Sequence, residues 1–188
     1  YWYKYSRNST SLSLTNNYCI GEVKGKSNVG GLVGYKSGGE VSRNYTFVSI
    51  SGEDNVGGLI GHHAVGNDAV ASKTTMTSNV AINSTVVSNT TNSGRIYGFT
   101  DNTNYIVIPE LDSNTSNRSL ETTRMIVNGI NQEVNEDLHN GISSSLSELR
   151  SKSNYQTWGW DFESDWNIID ETSFPYKKYQ AAPPFIET

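Results

Sequence analysis

The chain has one cysteine and four prolines, and no apolar run long enough for a membrane-spanning helix, which needs about 18 or more such residues. With Cys19 alone no intrachain disulfide can form. No histidine or acid stands at a spacing that would make its thiol a nucleophile, so it reads as a small buried side chain. Positive charge is also scarce: 14 Lys and Arg stand against 19 Asp and Glu, and only Lys177-Lys178 sets two cations side by side. That leaves no basic stripe to follow phosphates, and a nucleic-acid partner is excluded. Charged residues are only 18% of the total, and a mean hydropathy of −0.53 comes mostly from Ser, Thr, Asn and Gly. Such uncharged polarity fits a hydrated β-surface better than a helical protein. Eleven tyrosines and four tryptophans supply more apolar anchors than a disordered chain carries. The chain opens without methionine or signal peptide, so it is expected to be a mature or excised fragment, with any export signal or wall anchor outside it.

What is present is repetition. Asn28-Val29-Gly30-Gly31-Leu32-Val33-Gly34 returns as Asn55-Val56-Gly57-Gly58-Leu59-Ile60-Gly61, and in altered form as Asn92-Ser93-Gly94-Arg95-Ile96-Tyr97-Gly98. From Gly30 to Gly57 is 27 residues, and from Gly57 to Gly94 is 37. A second shared segment opens at Asn17-Tyr18, Asn44-Tyr45 and Asn79-Val80, with Asn104-Tyr105 as a fourth opening. Leu14, Val41 and Met76 stand three residues before it; Ile20, Phe47, Ile82 and Val107 stand three after. Apolar residues replace apolar ones there while neighbours vary, as in stacked structural repeats.

An arginine is rarely buried unpaired, so Arg95 is expected in water. Strand alternation then turns Leu32, Leu59 and Ile96 inward. Gly30, Gly57 and Gly94, with Gly34, Gly61 and Gly98, become the flanking corners where a Cβ has no room. Asn28, Asn55 and Asn92 are expected to form an amide ladder at a bend, and Asn17, Asn44, Asn79 and Asn104 another. The extra residues between copies two and three, around 62–68, read as a loop.

Asn-Val-Gly-Gly-Leu-Val-Gly after an Asn-Tyr segment resembles the GLUG-motif repeat of bacterial surface proteins. Such repeats occur in adhesin-like proteins and in non-catalytic regions of immunoglobulin-A-cleaving zinc metallopeptidases. Leu146-Ser147-Glu148-Leu149, Tyr155, Trp158-Gly159-Trp160-Asp161-Phe162, Trp166 and Phe174-Pro175-Tyr176 resemble the segment that closes these repeats. The resemblance spans roughly Asn16 to Gln180, with 109–143 poorly matched. It implies a right-handed β-helix, secreted and surface-attached, with an adhesive or scaffolding role. The His-Glu-x-x-His motif of the zinc peptidases is absent, so that activity does not carry over.

In the tail, Ser145-x-x-Glu148 reads as a capping box opening one short helix around 145–153. An aromatic strand from Trp158 to Trp166 is expected to form a lid over the last copy's open core. The sharper alternative makes Trp158, Trp160 and Trp166 exposed platforms for sugar rings. On that strand Asp161, Glu163 and Asp165 would share a face, suiting a glycosidase pair or a calcium site; solvated carboxylates are the plainer reading. Glu22 aligns with Ser49 and Ser84, and Glu40 with Ser13 and Thr75, so no carboxylate column forms. His62-His63 reads as a hydrated loop pair rather than a metal site, and His139 as a turn residue.

The expected fold is all-β, a short right-handed parallel β-helix with a small mixed C-terminal cap; a β-sandwich is the runner-up. Residues 1–108 would hold the glycine-rich coils, and 109–188 the last coil, the helix and the cap. The expected function is a non-enzymatic module of a secreted or cell-surface protein, adhesive toward a host or neighbouring-cell glycan or protein, or a stalk continuous with further repeats or domains. No cofactor, metal or membrane insertion is expected. The alternative is a carbohydrate-active enzyme using Asp161, Glu163 or Asp165; a spacer within a larger secreted peptidase is a third reading.

Overall fold

Between the Gly and Asn bends lie runs of two to seven residues rich in Val, Ile, Thr, Tyr and Ser, and these form strands. The structure, a computed structural model, describes residues 13–37, 39–64, 75–100 and 116–184. Copy one contributes β1 (Ser13–Thr15), β2 (Tyr18–Lys24), β3 (Ser27–Gly30) and β4 (Val33–Ser37). Copy two contributes β5 (Glu40–Ser42), β6 (Tyr45–Ser51), β7 (Asp54–Gly57) and β8 (Ile60–Ala64). Copy three has β9 (Thr75–Thr77), β10 (Val80–Ala81), β11 (Thr85–Ser88), β12 (Ser93–Gly94) and β13 (Tyr97–Thr100). Then follow β14 (Arg118–Leu120), β15 (Arg124–Val127), β16 (Ile130–Gln132) and β17 (Ile142–Ser144).

Like pairs with like, in parallel. The sheets β1-β5-β9, β3-β7-β12 and β4-β8-β13 each take one strand from every copy. The register sets Leu14 beside Val41 and Met76, Val29 beside Val56, and Val33 beside Ile60 and Tyr97. The fourth and largest sheet joins β2, β6, β10 and β11 to β14, β15 and β17, parallel except for the hairpin β15-β16. The molecule is therefore all-β with parallel sheets. The antiparallel ladders of a sandwich do not build it.

Two apolar clusters line the repeats. One gathers Val41, Leu59, Ile60, Met76, Ala81, Ile96 and Tyr97; the other Val29, Val48, Ile50, Val56, Val86 and Met125. Leu59 and Ile96 are fully buried as expected, whereas Leu32 is half-buried. Burying each such aliphatic contributes about 1.5–3 kcal/mol. Both amide ladders form. Asn92 Nδ2 donates to Asn55 Oδ1 at 3.1 Å and Asn55 Nδ2 to Asn28 Oδ1 at 2.8 Å. In the other, amides run from Asn17 to Asn44 at 3.2 Å, to Asn79 at 2.9 Å and to Asn117 at 2.8 Å. Asn104 lies outside the described residues, and Asn117 takes the fourth rung. Asn28 and Asn55 themselves occupy the left-handed region, at φ 55° and 51°, but the ladder from Asn17 bends one residue earlier, at Asn16, Arg43 and Ser78.

Several expectations need correction. Arg95 is buried, only 2% exposed. It lies in a bend between β12 and β13 rather than within a strand, so alternation does not apply and both Arg95 and Ile96 turn inward. Its Nη2 donates to Ser143 Oγ at 2.9 Å. The Glu22–Ser49 column continues to Thr85, not Ser84, because one extra residue enters copy three between β10 and β11. Asn83 fills that break: its Oδ1 accepts the Val48 N–H at 3.0 Å and its Nδ2 donates to the Gly58 carbonyl at 2.9 Å. His62 and His63 belong to β8, and His63 is buried, so neither sits in a hydrated loop. The remainder of that insertion, 65–68, lies outside the described residues.

The C-terminal end of the repeats is closed by residues 130–141. The hairpin β15-β16 turns at Asn128-Gly129, both left-handed. Val134 then packs on one apolar cluster and Leu138 on the other. The His139 carbonyl accepts the Ile96 and Tyr97 N–H groups at 2.8 and 3.2 Å, taking the place of a further strand.

Candidate functional site

The C-terminal segment after β17 carries the expected capping box. Glu148 Oε2 accepts the Ser145 N–H at 2.7 Å while Ser145 Oγ accepts the Glu148 N–H at 3.3 Å. Those bonds from Ser145 hold the Glu148 carboxyl below its ordinary range. The helix it opens is split: a 3-10 turn at Glu148–Arg150, then α1 (Lys152–Thr157) after Ser151. Trp158 to Trp166 is not a strand. Residues 162–165 turn, and only β18 (Trp166–Asn167) pairs, antiparallel, with β19 (Tyr176–Lys177).

This segment does not lid the end of the stack. It runs back along the flank of the largest sheet. Trp158, Trp160 and Trp166 join Tyr155, Phe162, Ile168 and Phe174 against Tyr45, Val80 and Ile82, with Tyr18, Phe47 and Leu120 at the margin. Arg118 lies 4.2 Å over the Trp158 ring, Trp160 Nε1 donates to the Ser78 carbonyl at 3.0 Å, and Trp166 packs on Tyr18 and Tyr45 at 6.3 and 6.0 Å. At its far end Asp165 Oδ2 accepts Asn16 Nδ2 at 2.7 Å and Gln180 Nε2 donates to the Tyr18 hydroxyl at 2.6 Å. One strap thus touches all three copies and β14 beyond them.

All three tryptophans are buried, Trp166 completely, so they offer no exposed platform for a sugar ring. The Trp160 and Trp166 indole N–H groups are bonded to Ser78 and Asn16, the Trp158 ring packs on Arg118 and Tyr155, and each aromatic contact adds about 0.5–1.5 kcal/mol to area burial. Inside the cluster the Tyr45 and Tyr155 hydroxyls are buried with no hydrogen-bond partner among the described residues. Burial pushes both phenols well above their ordinary range.

The carboxylates do not converge either. Asp161 is a turn residue whose carboxylate accepts the Ser164 hydroxyl and the Ser164 and Glu163 N–H groups; these bonds, the hydroxyl foremost, lower its pKa. Asp165 is tied to Asn16, and Glu163 is exposed in the turn. A shared strand face is therefore absent. Among the described residues no group of three or more His, Cys, Asp and Glu could hold a metal. His62 stands edge-on between Tyr35 and Phe99, at 5.0 and 5.1 Å, and His139 lies in a turn against the Tyr97 ring. Glu136 and Asp137 are exposed but bond the local chain, through the Ser143 and Asn140 N–H groups. Lys36 is buried with Nζ on the Gly39 carbonyl at 3.0 Å, and desolvation lowers its pKa to about 8.

Tyr18, Tyr45, Phe47 and Tyr155 were placed by the repeat or the closing segment, but not as a second packing face on the flank. A signal was present: in Tyr45-Thr46-Phe47-Val48-Ser49-Ile50 each alternation carries two large apolar residues, Tyr45 and Phe47 on one face and Val48 and Ile50 on the other, as on a strand covered on two faces. No family model, no curated protein and no solved structure matches the chain.

Proposed function

We propose that this chain is a non-enzymatic module of a bacterial secreted or cell-surface protein, built as a short right-handed parallel β-helix and serving as a stalk or scaffold. The observation that carries the reading is the in-register parallel pairing of equivalent residues, Leu14 with Val41 and Met76 and Val33 with Ile60 and Tyr97. Each copy spans one coil, and crossovers between parallel strands are right-handed in nearly all proteins. The resemblance to GLUG-motif repeats supports the surface location. Between stalk and adhesin, the stalk is favoured because Trp158, Trp160 and Trp166 are spent on packing. The enzymatic alternative loses its basis with the dispersal of Asp161, Glu163 and Asp165.

A screen of the 188-residue chain against glycan and host-protein arrays, with a parallel assay for polysaccharide cleavage, tests this. No saturable ligand and no turnover are expected. Saturable glycan binding overturns the stalk reading, and steady cleavage overturns the non-enzymatic one.

A further inference from the structure

The two amide ladders have opposite polarity, and among the described residues both end open at copy one. In the first ladder each Oδ1 accepts two N–H groups from the preceding copy. Asn44 Oδ1 takes the Asn17 backbone N–H at 2.8 Å and Nδ2 at 3.2 Å; Asn79 Oδ1 takes the same pair from Asn44, and Asn117 Oδ1 from Asn79. Asn17 Oδ1 would receive such a pair from an earlier coil, and among the described residues it has no donor. In the second ladder the amides point the other way, so Asn28 Oδ1 is satisfied by Asn55 while Asn28 Nδ2 has no acceptor among the described residues.

The apolar columns end in the same state. Leu14, Cys19, Val23, Leu32 and Val33 are half-buried, whereas Val41, Thr46, Ile50, Leu59 and Ile60 beside them are buried. β2 is a seven-residue strand paired, among the described residues, on one side only, to β6.

Terminal repeats are usually recast as caps. The far end is recast: Arg95 stands where Gly31 and Gly58 stand, and residues 130–141 close it. Copy one keeps the interior pattern, since Asn28–Gly34 differs from Asn55–Gly61 only at Val33 and Ile60.

We infer that the face of copy one is a docking surface for a further coil of the same repeat type, arriving with its strands parallel to β1–β4. This rests on the β-helical reading above and names the partner that such a scaffold takes. The incoming coil supplies a backbone N–H and an amide Nδ2 to Asn17 Oδ1, and an amide Oδ1 to Asn28 Nδ2. Its two asparagines stand 11 residues apart, as Asn17 and Asn28 do, and as Asn44 and Asn55 do. Among the described residues of copy one Tyr35 is the one exposed aromatic ring, so a glycan would find no exposed ring pair there. A second copy meeting this face head-to-head would oppose Oδ1 to Oδ1 where the Asn17 ladder met itself and Nδ2 to Nδ2 where the Asn28 ladder did.

Hydrogen exchange on the unmodified chain is the first arm of the test. Amides of β2 are expected to exchange about 100-fold faster than their partners in β6. Equal protection at all concentrations would mean that the chain's own N-terminal segment covers the face, and protection that grows with concentration would mean that a second copy does; either overturns the proposal. In the second arm, residues 13–39 are duplicated directly before Ser13, with a shuffled 27-residue insertion as control. The duplicate is expected to slow β2 exchange to the β6 level and raise the thermal midpoint by about 2–4 °C, and the shuffled insertion to do neither. Unchanged exchange in the duplicated chain overturns docking while leaving the non-enzymatic reading intact; a glycan ligand in the array screen does the reverse.

Discussion

Leu32 and Leu59 sit at equivalent positions in near-identical heptapeptides, yet Leu59 is fully enclosed and Leu32 is half open. The same holds for Val33 against Ile60, and for Asn17, which is exposed, against Asn44, which is buried. Copy two has a neighbour on each side and copy one, among the described residues, on one side. Identical chemistry therefore contributes unequal stability, and position in the stack sets the difference.

Paired substitutions can break that comparison. The largest effect is expected at the glycines. A Cβ on Gly58 would overlap the Arg95 carbonyl and strike Asn83 Nδ2, within a copy held from both sides. Gly58→Ala should cost roughly 3–5 kcal/mol in urea unfolding. Gly31→Ala meets the Gly58 carbonyl and Val48, but copy one can lift away, so about half that loss is expected; equal losses would contradict the comparison. Next comes Leu59→Ala, at about 2–5 kcal/mol, against less than about 2 for Leu32→Ala. For the amides, Asn44→Ala strands the Asn17 N–H and the Leu14 and Ser42 carbonyls it now satisfies, costing roughly 2–3 kcal/mol. Asn17→Ala should cost about 1 kcal/mol or less.

The smallest effect is one of pH. Lys36 titrates near 10.5 when unfolded and about 8 when folded. Between those values the unfolded chain binds a proton that the folded chain lacks, so this group makes stability rise with pH across that window. Tyr45 and Tyr155, held protonated by burial, oppose it once unfolded phenols ionise near pH 10. Urea midpoints measured from about pH 8 to 9.5 should climb more steeply for the parent than for Lys36→Met; parallel curves would show that Lys36 is not desolvated.

Much of this was legible before any coordinates. The heptapeptide recurring after 27 and then 37 residues aligns Asn28, Asn55 and Asn92 and sets Leu32, Leu59 and Ile96 in one column; Leu59 and Ile96 do face inward, although the alternation from a solvent-facing Arg95 that pointed there does not hold. Local chemistry also survives, as the Ser145–Glu148 capping box does. What was lost depended on context beyond the period. Arg95 looked like a solvent residue because strand alternation was applied to a bend, and its partner Ser143 lies far along the chain. The bulge at Asn83 shifts the register by one, which a fixed repeat cannot anticipate. Trp158, Trp160 and Trp166 were recognisable as cover, but which surface they cover depends on the outward aromatic column of Tyr18 and Tyr45, and that column was not read as a second face. The carboxylates failed as a site because a turn, not a strand, carries them.

Strapping the flank changes how such a molecule would bear tension. In a simple array each coil grips only its neighbours, so a pull along the axis could peel the units away in succession. Here Asn16 is bonded to Asp165, Ser78 to Trp160, and Arg118 sits over Trp158. The load therefore has a second path that bypasses the strand ladders, and yielding at any one junction is resisted by the rest.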